Sequence, residues 1–208
     1  MSLKVVNLGL PKAGTTTLAR ALRRASLHTL DHRVRKEHAT ETAPAGAFVG
    51  ELLYDGYFAT GNPAEHLVGY DAVSEMSVLH HEKSFWPQMD FAIIDGLRAH
   101  NPGLKFLATW RDPFAISQSM LAWSNLGTTR LPRADVPGLP KGFGETTSER
   151  VRWIEGHYAH LDAIFAGTDC FLRVDITRDD APNLIGQFLE RDLPWWGHLN
   201  RNPERDVA

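Results

Sequence analysis

Lys4-Val5-Val6-Asn7-Leu8-Gly9-Leu10-Pro11-Lys12-Ala13-Gly14-Thr15-Thr16-Thr17-Leu18 is the stretch that decides the fold. Leu3 to Leu8 is an apolar run interrupted only by Lys4 and Asn7, the pattern of a buried strand. Glycine and proline then supply turn residues up to Gly14. From Thr15 the period becomes helical: Leu18, Leu22 and Ala25 share one face, while Arg20, Arg23 and Arg24 point outward. Strand, glycine-rich turn and helix in succession describe an anion cradle. Glycine lets the backbone approach a ligand closely, and a helix start offers unpaired N–H groups at the positive end of the dipole. Thr15, Thr16 and Thr17 add hydroxyl donors, and Lys12 adds a full positive charge. The turn differs from the standard nucleoside triphosphate loop, GxxxxGK followed by Ser or Thr. Here the lysine precedes Gly14 by two residues, and Thr15 stands where that lysine belongs.

Downstream, residues 31–47 are polar and broken by Pro44 and Gly46. Phe48–Leu53 and Tyr70–Met76 read as the second and third strands. Glu82–His100 reads as a long helix, stopped by Asn101-Pro102-Gly103. Lys105–Trp110 is a clear strand. Asp112-Pro113 then sets an N-cap and a first-turn proline for a helix whose core stripe is Ile116, Met120 and Trp123. Residues 128–146, rich in proline and glycine, read as a long loop of the kind that forms lids or binding loops. Ser148–Phe165 reads as a helix, Cys170–Val174 as a strand and Ala181–Leu189 as a last amphipathic helix, followed by a polar tail from Pro194. Strands alternating with helices predict a single α/β domain of three layers, with a mostly parallel central sheet flanked by helices. Such sheets bind ligands beyond the carboxyl ends of their strands, which singles out residues 9–17 and 110–119.

Composition narrows the function. The chain has 208 residues, 43% of them hydrophobic and 23% charged, which excludes a disordered or collagen-like protein. Lys plus Arg is 22 against 25 Asp plus Glu, a balance that argues against a nucleic-acid partner. A lone cysteine, Cys170, excludes a disulfide framework and a zinc site built on several thiolates, and it reads as a buried thiol at a strand start. No apolar run reaches membrane-spanning length and no signal pattern opens the chain, so a cytoplasmic protein without a membrane partner is expected. His157 and His160 share a helix face, but no HExxH or completing carboxylate accompanies them, and no metal is expected. Trp86, Trp123, Trp153, Trp195 and Trp196 read as core. Arg20, Arg23, Arg24, Arg33, Arg35 and Lys36, diluted by Asp31, Glu37 and Glu41, read as a solvated face.

In the second turn, Thr109-Trp110-Arg111-Asp112-Pro113, Arg111 leaves a strand end where its guanidinium can fork onto a phosphate. Ser119 flanks the helix stripe on the same side. Pro11-Lys12-Ala13-Gly14-Thr15-Thr16 and Arg111-Asp112-Pro113 with Ser119 together resemble the signature segments of a family. That family is the sulfotransferases that use 3′-phosphoadenosine 5′-phosphosulfate (PAPS). The first segment resembles their 5′-phosphosulfate loop, PKSGTT or PKTGTT, with Ala13 as the departure. The second resembles their 3′-phosphate motif, RNP or RDP with a serine eight residues after the arginine. Leu172-Arg173-Val174-Asp175 and Phe188-Leu189-Glu190 resemble the family's late strand and helix.

The resemblance implies a P-loop-like fold, PAPS as co-substrate, no metal, and transfer of a sulfuryl group to a hydroxyl or amine of a small-molecule or saccharide acceptor. By it, Lys12, Ala13, Gly14, Thr15, Thr16 and Thr17 hold the 5′-phosphosulfate, Arg111 and Ser119 grip the 3′-phosphate, and Lys12 stabilises the leaving phosphate oxygen. Lys141-Gly142-Phe143-Gly144 resembles a segment that closes over the nucleotide, in keeping with a lid.

An acceptor hydroxyl must lose its proton, so a base is needed near the cradle. The family uses a histidine or a carboxylate, usually at a strand end. Tyr70-Asp71-Ala72-Val73-Ser74-Glu75 ends like the D-A-x-x-D pattern of a bacterial-type subgroup, with Glu75 in the second acidic position. Glu75 is the candidate base, and His80, His81 and Glu51 are its rivals. Two other readings stand beside this one. A P-loop kinase or NTPase would use Ala92-Ile93-Ile94-Asp95 as its magnesium-binding run, and a silent binding module would keep the nucleotide site without transfer.

Overall fold

The computed structural model describes residues 3–80 and 83–197. Alternation along the strands creates the layers. In β1 (Val5–Asn7), Val5 packs with Leu18, Leu22 and Ile185 on one side, while Val6 packs with Leu53, Ile94 and Ile154 on the other. The same alternation recurs in β3 (Ala72–Val73) and β6 (Lys105–Trp110), because successive side chains of a strand point to opposite faces. Helices α1 (Thr15–Arg24) and α7 (Ala181–Leu189) cover the first face. The second is covered by α2 (Val49–Thr60), α3 (Phe91–His100), α4 (Pro113–Ala122) and α6 (Thr147–Ile164). The three-layer α/β architecture expected from the sequence is the one observed.

With β2 (Thr29–Leu30) and β7 (Phe171–Asp175), the sheet runs β2-β3-β1-β6-β7, and every pair in it is parallel. The chain leaves β1 toward β3 and β2 on one side, then crosses to β6 and β7 on the other. β1 therefore marks the topological switch point, where open parallel sheets form their ligand crevice. A separate antiparallel hairpin pairs β4 (Val78–His80) with β5 (Lys83–Phe85).

Asn7 ties the strands together at that point. Its fully buried amide donates to Ser74 O beyond β3 (2.8 Å) and to Thr109 Oγ1 in β6 (3.1 Å). Its carbonyl oxygen accepts from Thr109 N (2.9 Å) and Gly9 N (3.3 Å). One side chain thus answers polar groups from three adjacent segments that would otherwise be buried without partners. Gly9 must be glycine because a Cβ there would lie 2.4 Å from Thr109 Oγ1 and 2.6 Å from Thr109 O.

Two expected elements differ. Phe48–Leu53 is the beginning of helix α2, not a strand. Val49, Leu52, Leu53 and Gly56 are buried at helical spacing, and Gly50 comes so close to Met76 O that a Cβ would sit 2.2 Å from it. The long helix expected from Glu82 is divided. Glu82 lies outside the described residues, Lys83–Phe85 is a strand, and Pro87–Met89 forms a 3₁₀ turn. Helix α3 starts only after Asp90, whose side chain accepts from Ala92 N. Asp112 caps α4 as the sequence implies, accepting from Ala115 N at 2.8 Å. Cys170 is half-buried just before β7 and packs against the larger core cluster. Among the described residues, no helix is long and apolar enough to cross a membrane.

Replacing Asn7 by Ala strands several buried donors and acceptors at roughly 1–3 kcal/mol each. We expect the Asn7→Ala variant to lose about 3 kcal/mol or more, lowering the thermal midpoint by about 6–12 °C in a chain of this size. Calorimetric unfolding measures it, and a shift under about 2 °C would show that Asn7 is not the tie described here.

Candidate functional site

A cleft of about 540 Å³ opens at the carboxyl edge of the sheet, and every sheet strand sends residues to it. Lys12, Gly14, Thr15, Thr16 and Thr17 come from the turn after β1, and Glu75 and Ser77 follow β3. Arg111 follows β6, Ile176 follows β7, and Asp31, His32 and Arg33 follow β2. The two turns singled out in the sequence, about a hundred residues apart, meet here.

Lys12 (φ 71°) and Gly14 (φ 90°) both adopt left-handed backbone. Gly14 is the N-cap of α1, so no side chain caps that helix, and no acidic residue occupies its first turn. The positive end of the helix is thereby left to an external anion. Gly14 is also required for space: a Cβ would lie 2.7 Å from Ile176 Cδ1. From behind, Tyr158 on α6 donates to Thr109 O (2.7 Å) and accepts from Leu10 N (3.3 Å), while His157 Nε2 donates to Leu8 O (2.8 Å). Ala13 is different. Its side chain is fully buried in the core and its N–H bonds Leu10 O, so it shapes the loop and does not line the cleft.

Lys12 Nζ lies 3.6 Å from the centroid of the Trp123 indole. Burial, reinforced by the positive charge of Arg111, lowers the Lys12 pKa to about 8. Two cations are therefore held near each other, and no described carboxylate forms an ion pair with either. Arg111 spends Nη2 on a long bond to Ala115 O (3.4 Å), and its buried Nε has no partner. Burial pulls its pKa down as well, although a guanidinium stays charged. Such a pair is electrostatically frustrated until an anion arrives.

Glu75 is buried in the wall of the same cleft, beside His32 and Thr15. Its Oε1 accepts from Ser77 Oγ (2.5 Å), Ser77 N (2.9 Å) and Met76 N (3.1 Å). Burial pushes the Glu75 carboxyl above the ordinary glutamate value; the Ser77 bonds, the charge of His32 and the Thr15 hydroxyl partly oppose this. Thr15 thus turns its hydroxyl to Glu75, linking the cradle to the candidate base. Among the rivals, His80 lines the cleft rim. His81 lies outside the described residues. Glu51 sits on α2, pairs with Lys83 and does not line the cleft, since its segment is helical.

Other expectations change in detail. Trp123 is not part of the α4 core stripe. It is 43% exposed, because α4 ends there in extended backbone (ψ 91°) and turns the indole over Lys12. Ser119 lies one turn earlier on α4, half-buried; the Trp123 indole, not the Ser119 hydroxyl, borders the cleft. Asp95 lies on α3, away from the cleft. Residues 128–146 are not a free loop. Leu126–Arg130 form a π-helical turn and Leu131–Arg133 a short helix, α5.

Lys141–Gly144 does not line the cleft. The buried Arg150 guanidinium pins this segment through Gly144 O (2.7 Å) and Glu145 O (2.8 Å) and reaches Ser117 Oγ on α4 (2.9 Å). Phe143 instead borders a second, apolar groove between the 137–143 segment and α6. The sequence reading missed Arg130, which ends the π turn, lines the cleft and donates to Leu79 O (2.9 Å). A π turn is a signal of function only once the backbone is seen.

Comparison of the chain with known protein families and with curated proteins gives no match to either.

The neutral His157 that anchors Leu8 O makes stability pH-dependent. Burial lowers its pKa to about 4, so the folded state binds fewer protons than the unfolded one between that value and the ordinary 6.5. Its contribution is therefore intact above pH 6.5 and is lost progressively as the pH falls from 6.5 to 4, to an extent of order 3 kcal/mol. We expect His157→Gln, which can still donate to Leu8 O but does not titrate, to show a shallower acid loss in urea unfolding between pH 7 and 4.5. Identical slopes would refute the assignment.

Proposed function

We propose that this protein is a sulfotransferase that moves a sulfuryl group from PAPS to a hydroxyl or amine. The observation that carries the reading is the convergence of Lys12 and Arg111, two desolvated cations without carboxylate partners, with the buried Glu75 in one cleft at the switch point of the sheet. The order of these residues along the chain also matches the family resemblance of the two turns. A donor with anionic groups at both ends of its ribose answers both of these neighbouring cations. The uncapped start of α1 and Lys12 suit the 5′-phosphosulfate, and Arg111 suits the 3′-phosphate.

In the transfer, the acceptor oxygen attacks sulfur in line with the bridging oxygen. The S–O bond to the 5′-phosphate breaks, its electron pair passes to the phosphate oxygen, and the acceptor proton passes to Glu75. Lys12 neutralises the negative charge growing on the leaving oxygen. Positioning and charge stabilisation account for the rate, as in phosphoryl transfer. A glutamate raised by burial is a better base near neutral pH than an exposed one.

Calorimetric titration with 3′-phosphoadenosine 5′-phosphate (PAP), beside ATP with magnesium, tests the donor site. Micromolar PAP binding and little ATP binding are expected. In Arg111→Ala, PAP should weaken far more than AMP, whereas equal losses would remove Arg111 from the 3′-phosphate. Preference for ATP with magnesium would replace this reading with the kinase one.

The pH profile of kcat/KM for PAPS, which reports the free enzyme, should be bell-shaped. Its acid limb follows deprotonation of Glu75, and its alkaline limb falls near pH 8 as Lys12 loses its proton. Glu75→Gln should abolish the acid limb and lower kcat by about 10²–10⁴, the usual worth of a general base. Lys12→Ala should abolish transfer with the fold intact by circular dichroism.

A further inference from the structure

The sheet divides the cleft into two halves. The donor half lies over β1, β6 and β7, with Lys12, Arg111 and Ile176. The other half lies over β2 and β3 and is closed by the β4–β5 hairpin, with Arg33, Phe48, Leu79, His80 and Arg130. Glu75 stands between them. If PAPS occupies the first half, the second is where the acceptor lies, and its chemistry is legible in its charges.

Asp31 is the one carboxylate among the described residues that line this second half. Arg23 (3.2 Å) and Arg35 (2.7 Å) already claim it; burial raises its pKa, but these two arginines outweigh that and hold it below the ordinary value. Two further arginines have no ion pair among the described residues. Arg33 donates Nε to Gly46 O (2.7 Å) and lays its guanidinium 5.0 Å from the Phe48 ring centroid. Arg130 donates Nη1 to Leu79 O, while its buried Nε has no partner. The desolvated Arg130 guanidinium and the exposed one of Arg33, each held by a backbone carbonyl on one edge with donors left over, form a receptor for a planar or tetrahedral anion. The Phe48 ring and the Leu79 side chain add an apolar wall beside them.

We propose that the acceptor of this protein carries an anionic group of its own, a carboxylate, phosphate or sulfate, which Arg130 binds with Arg33 while the acceptor hydroxyl faces Glu75. This rests on the sulfotransferase reading. The two arginines offset the repulsion that such an acceptor would meet from the donor's phosphates, and a neutral alcohol is a poor ligand because it leaves the buried Arg130 Nε unanswered.

The test is calorimetric titration of PAP-saturated protein with inorganic phosphate as the minimal probe. The wild type should bind it in the low millimolar range, and Arg130→Gln should weaken it at least tenfold with PAP affinity unchanged. Because Arg130 also holds the Leu79 carbonyl, Arg130→Lys and the exposed Arg33→Gln serve as second variants, each with an expected three- to tenfold loss. Absence of phosphate binding to the PAP-saturated wild type would overturn the inference and leave the donor reading standing. So would phosphate binding that is lost in Lys12→Ala but kept in Arg130→Gln, since the ion would then occupy the sulfuryl position. Failure to bind PAP at all would overturn the donor reading, and this inference with it.

Discussion

The Asn7 side chain is the constraint from which the site follows. Three parallel segments end within reach of its amide, and each presents a buried polar group with no helix or sheet partner. Bonding them fixes the relative heights of the carboxyl ends of β1, β3 and β6. The turn after β1, Glu75 after β3 and Arg111 after β6 start from those ends, so their mutual positions are set by one amide group. Tyr158 and His157 extend the same logic to the loop backbone, holding Leu10 N and Leu8 O from helix α6. A buried polar network of this kind is costly if incomplete and rigid when satisfied.

The cleft has the opposite character. Lys12, Arg111 and Arg130 are desolvated without full compensation, and Glu75 is held where its charged form is disfavoured. The scaffold behind the cleft satisfies its polar groups apart from His157 Nδ1, whereas the side chains facing the cleft leave Arg111 Nε and Arg130 Nε without partners. Unsatisfied charge held on rigid supports is how a protein prepares for a ligand that brings the missing counter-charge.

The legible parts of the sequence were those with local chemistry. β1, the turn to α1, β6 and the Asp112-Pro113 helix start each combine a periodic segment with its own punctuation, and the structure has them where the residues imply. Glu75 was legible as a carboxylate following a strand. Helix α2 was not, because Phe48-Val49-Gly50-Glu51-Leu52-Leu53 satisfies both periods. What decides it is the close approach of Gly50 to Met76 O, a contact between segments far apart in sequence. Trp123 failed for a related reason: its spacing from Ile116 and Met120 is helical, but the helix stops at it. Arg130 had no signal at all, being one arginine in a stretch whose prolines and glycines suggest a loop.

Lys12 holds a backbone conformation that favours glycine, at φ 71°, and a side chain with a Cβ bears a penalty of roughly 1–2 kcal/mol there. A glycine at this position would relax the turn and leave Gly9 and Gly14 as they are. The folded protein would gain stability by losing a half-buried ammonium group, so stability and that group at the mouth of α1 pull this position in opposite directions. In the proposed transfer, the native residue is the one that serves the donor.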